Sequence, residues 1–516
     1  MRKGWILFIV ALAIRLVGLT LRPMHHDEGV NGFFTDQVIA NGFYYYDPSN
    51  YHGPLYFYIL AIFQMLFGRS VWVLRLPTVL AGSVLAISPL FFQRWFSKRA
   101  MTWASVGIIL SAACAYYSRY AIHETFFSLA TVFFLYCWFR FHDASTEKGA
   151  EKKAEKGVEN DAEQGANHEI EKWGTWLGVS FALLVSLKEN FVFLGLPVMA
   201  AELWFYKFDG LKKLTKNIKW FFAGFIPIWV MLFSGLGRDW AGLKRFFMAF
   251  LVWTKTGTSH GGYSKVFLYF FELLFNYEAW GVLGFLVAIW FLFKRLNQFM
   301  PKKIKKDTPI FPLRQIQFLS VTSLGMLALY SFMPYKTPWC ILAFLPIFSI
   351  LAGIWVDLKS KYDVTKWLAC GVLFYSAWHL AIPCYFNYDD DSEMYVYAQT
   401  YKEFMGPVNQ LLDYAKTHPD VKDKLNISIV TDSNVSWPLP WYLSGFKRIG
   451  YYTPSGYPPN SDPDLLMIQS NVVDQVHFVR QPVYRIRVRF RPWTSDFEFI
   501  WFSSGPVAET NGQKTP

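Results

Sequence analysis

The residues best suited to chemistry lie in a short stretch that follows the first apolar segment. His25 and His26 are followed directly by Asp27 and Glu28, and Gly29 comes next. Adjacent carboxylates can hold a divalent cation or take a proton from a hydroxyl group. Ionisable groups are costly near hydrocarbon, so their presence there indicates a function or a partner. The alternative interpretation is an ordinary polar loop in which Asp27 caps the next helix.

Further polar side chains occur in four later segments, each at the edge of an apolar run. Basic groups beside carboxylates can hold a phosphate leaving group. If these segments share one side of a membrane, they predict a single site for an anionic substrate. The residues are His52, the group Arg119, His123 and Glu124, the group Lys188, Glu189 and Asn190, and Lys336.

Each of these residues also has a structural interpretation. The Arg119 side chain can extend to lipid head groups, and Lys336 can anchor a helix end. Lys188 can be neutralised by the adjacent Glu189. His52 can be an ordinary loop residue. A spacing of four would place Arg119 on the same face as His123 if that segment is helical.

The composition excludes a soluble globular protein, because 53% of the 516 residues are hydrophobic and 20% are aromatic. Apolar runs of about 17–22 residues indicate transmembrane helices. The five cysteines lie in or beside these runs, without the spacing of a disulfide framework or a metal site. We predict a polytopic α-helical membrane protein with about eleven spans, near 5–21, 72–93, 101–117, 124–141, 173–187, 190–206, 220–236, 276–293, 316–333, 339–356 and 366–384.

Lysine and arginine predict the orientation of these spans. Alternate loops hold 26 basic residues, more than twice as many as the opposite loops. The positive-inside rule places the basic loops and the N-terminus in the cytoplasm. An odd number of spans then places the C-terminal part outside. The formal charge of +12 therefore reflects topology and does not indicate nucleic-acid binding.

Two domains are predicted, over residues 1–384 and 385–516. In the membrane domain, the first outer loop (22–71) contains two interfacial helices, near 27–41 and 54–67. The segment 142–172 is a highly charged cytoplasmic loop. The C-terminal part reads as an extracytoplasmic α/β domain, with a helix near 393–416, a strand at Ile427–Val430, an apolar segment Leu465–Ile468 and a strand-like Val483–Phe490.

At these positions the sequence resembles the GT-C superfamily, the multi-span glycosyltransferases that use polyprenyl-phosphate-linked sugars. The superfamily includes protein O-mannosyltransferases and aminoarabinose transferases. The nearest branch is the flippase-activity-associated protein family of archaeal glycosylation. The matching motifs are His26-Asp-Glu-Gly29, His52-Gly-Pro-Leu55, Leu74-Arg-Leu-Pro77, Ser118 to Glu124, Lys188-Glu-Asn190, Tyr335 to Trp339 and Pro438 to Leu443.

The resemblance implies an inverting glycosyltransferase at the outer face of the cell membrane, with a polyprenyl-phosphate-linked sugar as donor and a lipid or protein as acceptor. It implies that Asp27 and Glu28 are catalytic. Lys188, with Arg119 and Lys336, would meet the donor phosphate. A divalent cation, Mg²⁺ or Mn²⁺, would bind Asp27 and Glu124 if one is required. The supporting residues would be His26, His52, His123 and Glu124.

Two other functions remain open at this stage. A flippase or transporter of lipid-linked sugars should carry ionisable residues in the middle of its spans and repeat its halves. Apart from Arg15, the predicted spans carry few central charges, and no repeat is visible. A noncatalytic accessory protein of a glycosylation pathway is the second alternative. Transfer of an oligosaccharide to asparagine is disfavoured, because the Trp-Trp-Asp motif is missing.

The orientation can be tested by labelling single cysteines from outside the cell in a variant that lacks the native cysteines. We expect residue 150 to be protected, and residues 27, 120, 336 and 430 to lie outside. A position-150 cysteine that reacts in intact cells, together with a protected position 430, would contradict the charge-based topology.

Overall fold

The computed structural model describes residues 2–154, 159–258, 264–293, 313–432 and 436–502. The chain forms two compact units. The first unit comprises residues 1–19 and 35–386, and the second comprises 20–34 and 387–516. The helix His26–Asn41 therefore contributes its residues up to Phe34 to the second unit.

The first unit is built of helices, and two of them correspond to the predicted interfacial helices near 27–41 and 54–67. Within the described residues its helices are Arg2–Leu16, the end of His26–Asn41, Leu55–Phe67, Val71–Ile87, Lys98–Leu110, Ala112–Tyr117, Glu124–Ala154, Glu159–Leu187, Phe191–Ala201, Asp209–Lys216, Ile218–Phe233, Ala241–Gly257, Tyr269–Tyr277, Ala279–Phe293, Leu313–Phe332, Leu345–Lys359 and Asp363–Ala381.

Length and composition identify membrane-spanning candidates among the described residues. Val71–Arg94 and Asp363–Phe386 are each long and apolar enough to cross a membrane. Two bent helix pairs raise the number to as many as four, with bends of 109° after Tyr206 and 120° after Tyr277. The number of eleven spans stays a prediction, since many of the other helices are short or carry charged residues over part of their length.

The helices differ from the sequence prediction in several places, and the predicted span 101–117 is divided at Ser111 into Lys98–Leu110 and Ala112–Tyr117. The helix Ala241–Gly257 was not predicted, because Lys244, Arg245 and Lys255 interrupt its apolar pattern. In the C-terminal part, the α-helix predicted near 393–416 begins only at Met405, after turns and a short 3₁₀ helix at Lys402–Phe404.

Glycine allows close helix packing in the first unit. Helices Glu159–Leu187 and Ile218–Phe233 meet at Gly178 and Gly224. A Cβ atom at Gly178 would lie 1.9 Å from the carbonyl oxygen of Phe221, and one at Gly224 would lie 2.1 Å from that of Thr175. Small residues at such crossings let two backbones approach, which is how helices associate within lipid.

The second unit contains a five-stranded mixed sheet within the described residues. Its strands are β1 (Ile427–Val430), β2 (Ile449–Tyr452), β3 (Leu465–Gln469), β4 (Tyr484–Val488) and β5 (Phe497–Trp501), in the order β2-β1-β3-β5-β4. Strand β1 pairs in parallel with β2 and β3, and β5 pairs antiparallel with β3 and β4.

Apolar clusters cover both faces of this sheet. On one face, Val408 and Leu411 of the helix Met405–Thr417 join Ile427 and Ile429 in a single core. On the other face, Val430 packs in a second cluster with Leu466 and Ile500. Strands β1, β3 and β5 are buried along their whole length, which explains their continuous apolar sequences.

The packing of the two helices predicts a difference between glycine positions. Gly178→Ala should lower stability by about 1–3 kcal/mol, because the new methyl group would force a backbone apart. Gly371→Ala is the matched control, since a Cβ atom at Gly371 meets nothing within 4 Å. Thermal unfolding of the purified variants in detergent measures both effects. Equal melting temperatures would contradict the packing described for Gly178.

Candidate functional site

In the second unit, the start of the helix His26–Asn41 is capped by its own neighbours. The Nδ1 atom of His25 accepts a hydrogen bond from the Asp27 amide at 3.1 Å, and Oε2 of Glu28 accepts one from the His25 amide at 2.9 Å. This reciprocal arrangement has the geometry of a capping box. The capping residue is therefore His25, and the alternative in which Asp27 caps the helix is wrong.

The hydrogen bonds of His25 assign its tautomer. Because Nδ1 accepts from an amide, the proton lies on Nε2, which donates to the carbonyl oxygen of Tyr397 at 3.1 Å. Burial lowers the pKa of the His25 imidazole to about 4, and the positive charge of Arg491 adds to the decrease. His25 is thus a neutral structural residue at ordinary pH.

His26 has a basic partner that the sequence analysis did not identify. Nη1 of Arg491 donates a hydrogen bond to Nδ1 of His26 at 3.0 Å. Burial lowers the pKa of His26 to about 4, and Arg491 contributes to this decrease. Sequence reasoning passed over Arg491 because it directly follows a strand-like run that already contains Arg485, Arg487 and Arg489.

Asp27 differs from its neighbours because its carboxylate is uncommitted. Within the described part of the chain, this partly buried carboxylate makes no hydrogen bond or ion pair. Asp27 is the second residue of the helix, where the backbone N–H groups favour a negative charge. Glu28, in contrast, is fully buried and occupied by the cap. Of the two predicted catalytic carboxylates, Asp27 is the one available to a substrate.

In the first unit, Lys188 and Glu124 form a buried ion pair. Their exposed fractions are 6% and 7%, and the ammonium Nζ donates to Oε1 of Glu124. The sequence offered Glu189 or a donor phosphate as the partner of Lys188. In the structure, the partner of Lys188 is instead Glu124. A buried charge requires an opposite charge within contact distance.

Glu189 is paired with His52. Nδ1 of His52 lies 3.1 Å from Oε2 of Glu189, which is buried. The ring of His123 packs against that of His52 with centroids 4.8 Å apart, and against Tyr56 at 4.4 Å. In the described residues, Nε2 of His123 is buried without a hydrogen-bond partner. His52, His123 and Glu189 therefore form one polar group. Lys188, which is paired with Glu124, directly precedes Glu189 in the chain.

Arg119 does not share a helical face with His123. Residues 118–123 form turns between the helices Ala112–Tyr117 and Glu124–Ala154, so the predicted helical spacing is wrong there. The buried guanidinium of Arg119 donates to the carbonyl oxygens of Val17 at 2.5 Å and Gly18 at 2.7 Å. These carbonyls follow the first helix, so the geometry favours a structural role for Arg119.

Lys336 is also occupied by backbone groups. Its ammonium donates to the carbonyl oxygens of Met333 at 2.5 Å and Lys265 at 3.0 Å. In the parts of the chain that are described, it contacts no carboxylate. The geometry favours the anchoring role that the sequence offered as the alternative to phosphate binding.

A preformed metal centre is not found among the described residues, where no group of three or more His, Cys, Asp or Glu side chains could hold a metal ion. Glu124, one of the predicted ligands, is already paired with Lys188. Metal binding by Asp27 or Glu124 stays a prediction.

Comparisons with known proteins bear on the class of this site. Residues 30–233 match the family model described as dolichyl-phosphate-mannose-protein mannosyltransferase. The structure of ArnT from Cupriavidus metallidurans bound to undecaprenyl phosphate matches with a TM-score of 0.63 and 15% identity, covering 100% of both chains. The chain therefore shares the fold of ArnT over its whole length.

A second solved structure has a similar fold. AglB from Archaeoglobus fulgidus, in complex with an inhibitory peptide and a dolichol-phosphate, matches with a TM-score of 0.51 and 11% identity. The match covers 91% of this chain and 70% of that one. No curated protein matches the sequence. The predicted resemblance is confirmed as a match of residues 30–233 to the mannosyltransferase family model and a fold shared with ArnT and AglB, and the narrower archaeal branch stays a prediction.

The buried ion pair predicts the effect of removing Lys188. Lys188→Ala should lower stability by about 3–5 kcal/mol, because it leaves the Glu124 carboxylate buried without a counter-charge. Combining it with Glu124→Gln should recover much of the loss. Thermal unfolding in detergent measures the stability of the single and the double variant. The affinity of each variant for polyprenyl phosphate is measured alongside. If Lys188→Ala kept its stability and lost its affinity for polyprenyl phosphate, the structural role would be contradicted and Lys188 would be assigned to binding of the donor phosphate.

Proposed function

We propose that this protein transfers a sugar, with inversion, from a polyprenyl-phosphate donor to a lipid or protein acceptor on the outer face of the cell membrane. The observation that carries the proposal is the state of Asp27. Among the residues that the structure describes, no side chain forms a hydrogen bond or ion pair with its carboxylate at the helix start, while His25 and Glu28 cap the helix. A carboxylate held in this way is suited to accept a proton from an incoming hydroxyl group.

The proposed reaction breaks one bond and forms another at the anomeric carbon of the sugar. The acceptor hydroxyl loses its proton to Asp27, and its oxygen attacks the anomeric carbon from the face opposite the phosphate. The bond between that carbon and the phosphate oxygen breaks, and its electron pair stays with the polyprenyl phosphate. Attack from the opposite face inverts the configuration.

The comparisons support the donor class. The family model is named for a dolichyl-phosphate-mannose transferase, and ArnT and AglB were solved with undecaprenyl phosphate and a dolichol-phosphate. The fold of these proteins extends over nearly the whole of this chain. The proposal therefore takes a polyprenyl phosphate as the carrier, and leaves the sugar and the acceptor to be identified by experiment.

Lys188 takes a different role in this proposal from the one that its sequence position suggested. It neutralises Glu124 and joins the start of the helix Glu124–Ala154 to the break before Phe191. The Lys188–Glu124 pair is thus a scaffold for the polar group around His52 and does not itself meet the donor.

The test is transfer from a panel of polyprenyl-phosphate sugars by the purified chain. Asp27→Asn keeps the shape of the side chain and removes its basicity, so turnover should fall by about two to four orders of magnitude. Glu28→Gln is the matched control, because an amide oxygen can still accept the His25 N–H and the loss should be small. Full turnover by a folded Asp27→Asn protein would contradict the role of Asp27. Repeating the assay with a chelator tests the divalent cation.

A further inference from the structure

A cavity of about 540 Å³ in the first unit takes no part in the proposed reaction. It lies between the helices Glu124–Ala154, Asp209–Lys216 and Leu313–Phe332, and its walls include Asp143, Tyr206, Lys207, Asp209, Arg314 and Gln315. We infer that this cavity binds the phosphate group of an anionic phospholipid through Lys207 and Arg314. Such a site is separate from the proposed sugar transfer and would bind a lipid of the surrounding membrane.

The cavity and the Lys188–Glu124 pair lie at opposite ends of one helix. Glu124 begins the helix Glu124–Ala154, and His142 and Asp143 of the same helix line the cavity. At a rise of about 1.5 Å per residue, these positions are about 27 Å apart. That distance is close to the thickness of the hydrocarbon core of a bilayer, about 30 Å. The cavity therefore lies at the other membrane boundary, which the distribution of lysine and arginine predicts to be cytoplasmic.

The backbone at Lys207 forms a sharp bend beside the cavity. The helix that begins at Phe191 ends in a π-helical turn, Glu202–Tyr206, and the next helix starts at Asp209 at an angle of 109°. Lys207 and Phe208 both have a positive φ, 51° and 62°, which is costly for residues other than glycine. Such a conformation persists only where the surrounding structure determines it.

A buried carboxylate holds this bend in place. Glu202 is fully buried, and its Oε2 atom accepts a hydrogen bond from the Gly210 amide at 3.2 Å. Its Oε1 atom accepts one from the indole of Trp138 at 3.1 Å. Gly210 belongs to the helix after the bend, and Trp138 belongs to the long helix that lines the cavity. The segment that carries Lys207 is therefore fixed against both helices.

The acidic side chains of the cavity wall already have partners. The Asp143 carboxylate accepts a hydrogen bond from Nε of Arg94 at 3.1 Å and one from the indole of Trp95 at 2.9 Å. Asp209 forms an ion pair with Lys213, whose Nζ atom lies 2.6 Å from Oδ2 of Asp209. Both carboxylates are therefore compensated without a ligand.

Two cations of the cavity wall remain for a ligand. Within the described residues, neither Lys207 nor Arg314 forms a hydrogen bond or an ion pair through its side chain. The hydroxyl of Tyr206 and the amide of Gln315 add uncharged donors to the same wall. Two positive charges beside neutral donors suit a phosphate group, which accepts charge-assisted hydrogen bonds from lysine and arginine.

The surface beside the cavity indicates a lipid as the source of this phosphate. Leu203 and Trp204 directly precede the cavity residues Phe205 and Tyr206, and they are 55% and 80% exposed. Tryptophan is enriched at membrane boundaries, so apolar surface suited to acyl chains adjoins the two cations. The helix Asp209–Lys216 combines leucine with lysine, as amphipathic helices at a membrane surface do. Basic pockets between helices at the cytoplasmic boundary are suited to anionic lipid head groups.

The experiment measures the affinity of the purified protein for phosphatidylglycerol, by native mass spectrometry at increasing concentrations of the lipid in detergent. Phosphatidylcholine is the reference lipid, because its phosphate is neutralised by its own choline group. Wild type should bind phosphatidylglycerol about tenfold more tightly than phosphatidylcholine, which is the effect of one charge-assisted hydrogen bond. Inorganic phosphate is added as a competitor. It should displace the lipid only in large excess, because it has no acyl chains to contact the apolar surface.

The variants separate a specific site from a general attraction of basic residues to lipid. Lys207→Gln and Arg314→Gln should each weaken phosphatidylglycerol binding by about tenfold, and Lys207→Arg should keep most of the affinity. Lys212→Gln is the matched control, because Lys212 is an exposed lysine of the neighbouring helix outside the cavity wall. It should bind phosphatidylglycerol like the wild type. If Lys207→Gln fails to fold, Arg314→Gln carries the same test.

Three results would overturn the lipid site. The first is equal affinity of the wild type for the two lipids. The second is a loss for Lys212→Gln as large as that for Lys207→Gln, since binding would then follow surface charge alone. The third is displacement of the lipid by inorganic phosphate at an equal concentration, which would identify a soluble phosphate compound as the ligand. Each of these results would leave the proposed sugar transfer intact, because the cavity lies at the other membrane boundary from the Lys188–Glu124 pair.

Discussion

A buried charge needs an opposite charge, and this requirement organises the polar part of the first unit. Lys188 lies in the break between the helices that end at Leu187 and begin at Phe191, and Glu124 neutralises it at the start of another helix. Breaking such a pair leaves an uncompensated charge, which is far more costly than replacing both partners. Because Lys188 is satisfied by Glu124, the adjacent Glu189 is left to orient His52.

At the start of the second unit, neighbouring polar residues likewise have different roles. Four consecutive polar residues occur there, and three of them are tied down by hydrogen bonds. His25 and Glu28 cap the helix, and His26 accepts from Arg491. The backbone of Asp27 belongs to the same helix turn, and within the described residues its carboxylate takes no part in the cap. A fixed backbone beneath an uncommitted side chain is the condition for a preorganised catalytic group.

Much of this organisation was predictable from the sequence, and the remainder depends on contacts that a sequence does not record. Apolar runs predicted most helices of the first unit, and the sequence Ile427-Ser-Ile-Val430 predicted strand β1, which is buried along its length. The partner of Lys188 was missed because Glu124 is 64 residues away, whereas Glu189 is adjacent. The turn before Glu124 could not be distinguished from a helix by spacing alone. The placement of residues 20–34 with the C-terminal unit likewise depends on tertiary packing.

The central claim is that the sugar is covalently transferred and not merely moved across the bilayer. The most direct measurement incorporates the purified chain into vesicles that contain a polyprenyl-phosphate sugar and an acceptor extract, and follows the sugar and the carrier by mass spectrometry. The account predicts release of free polyprenyl phosphate in step with a glycosylated product of inverted anomeric configuration. Intact donor that changes leaflet without losing its sugar would contradict it and would identify a flippase.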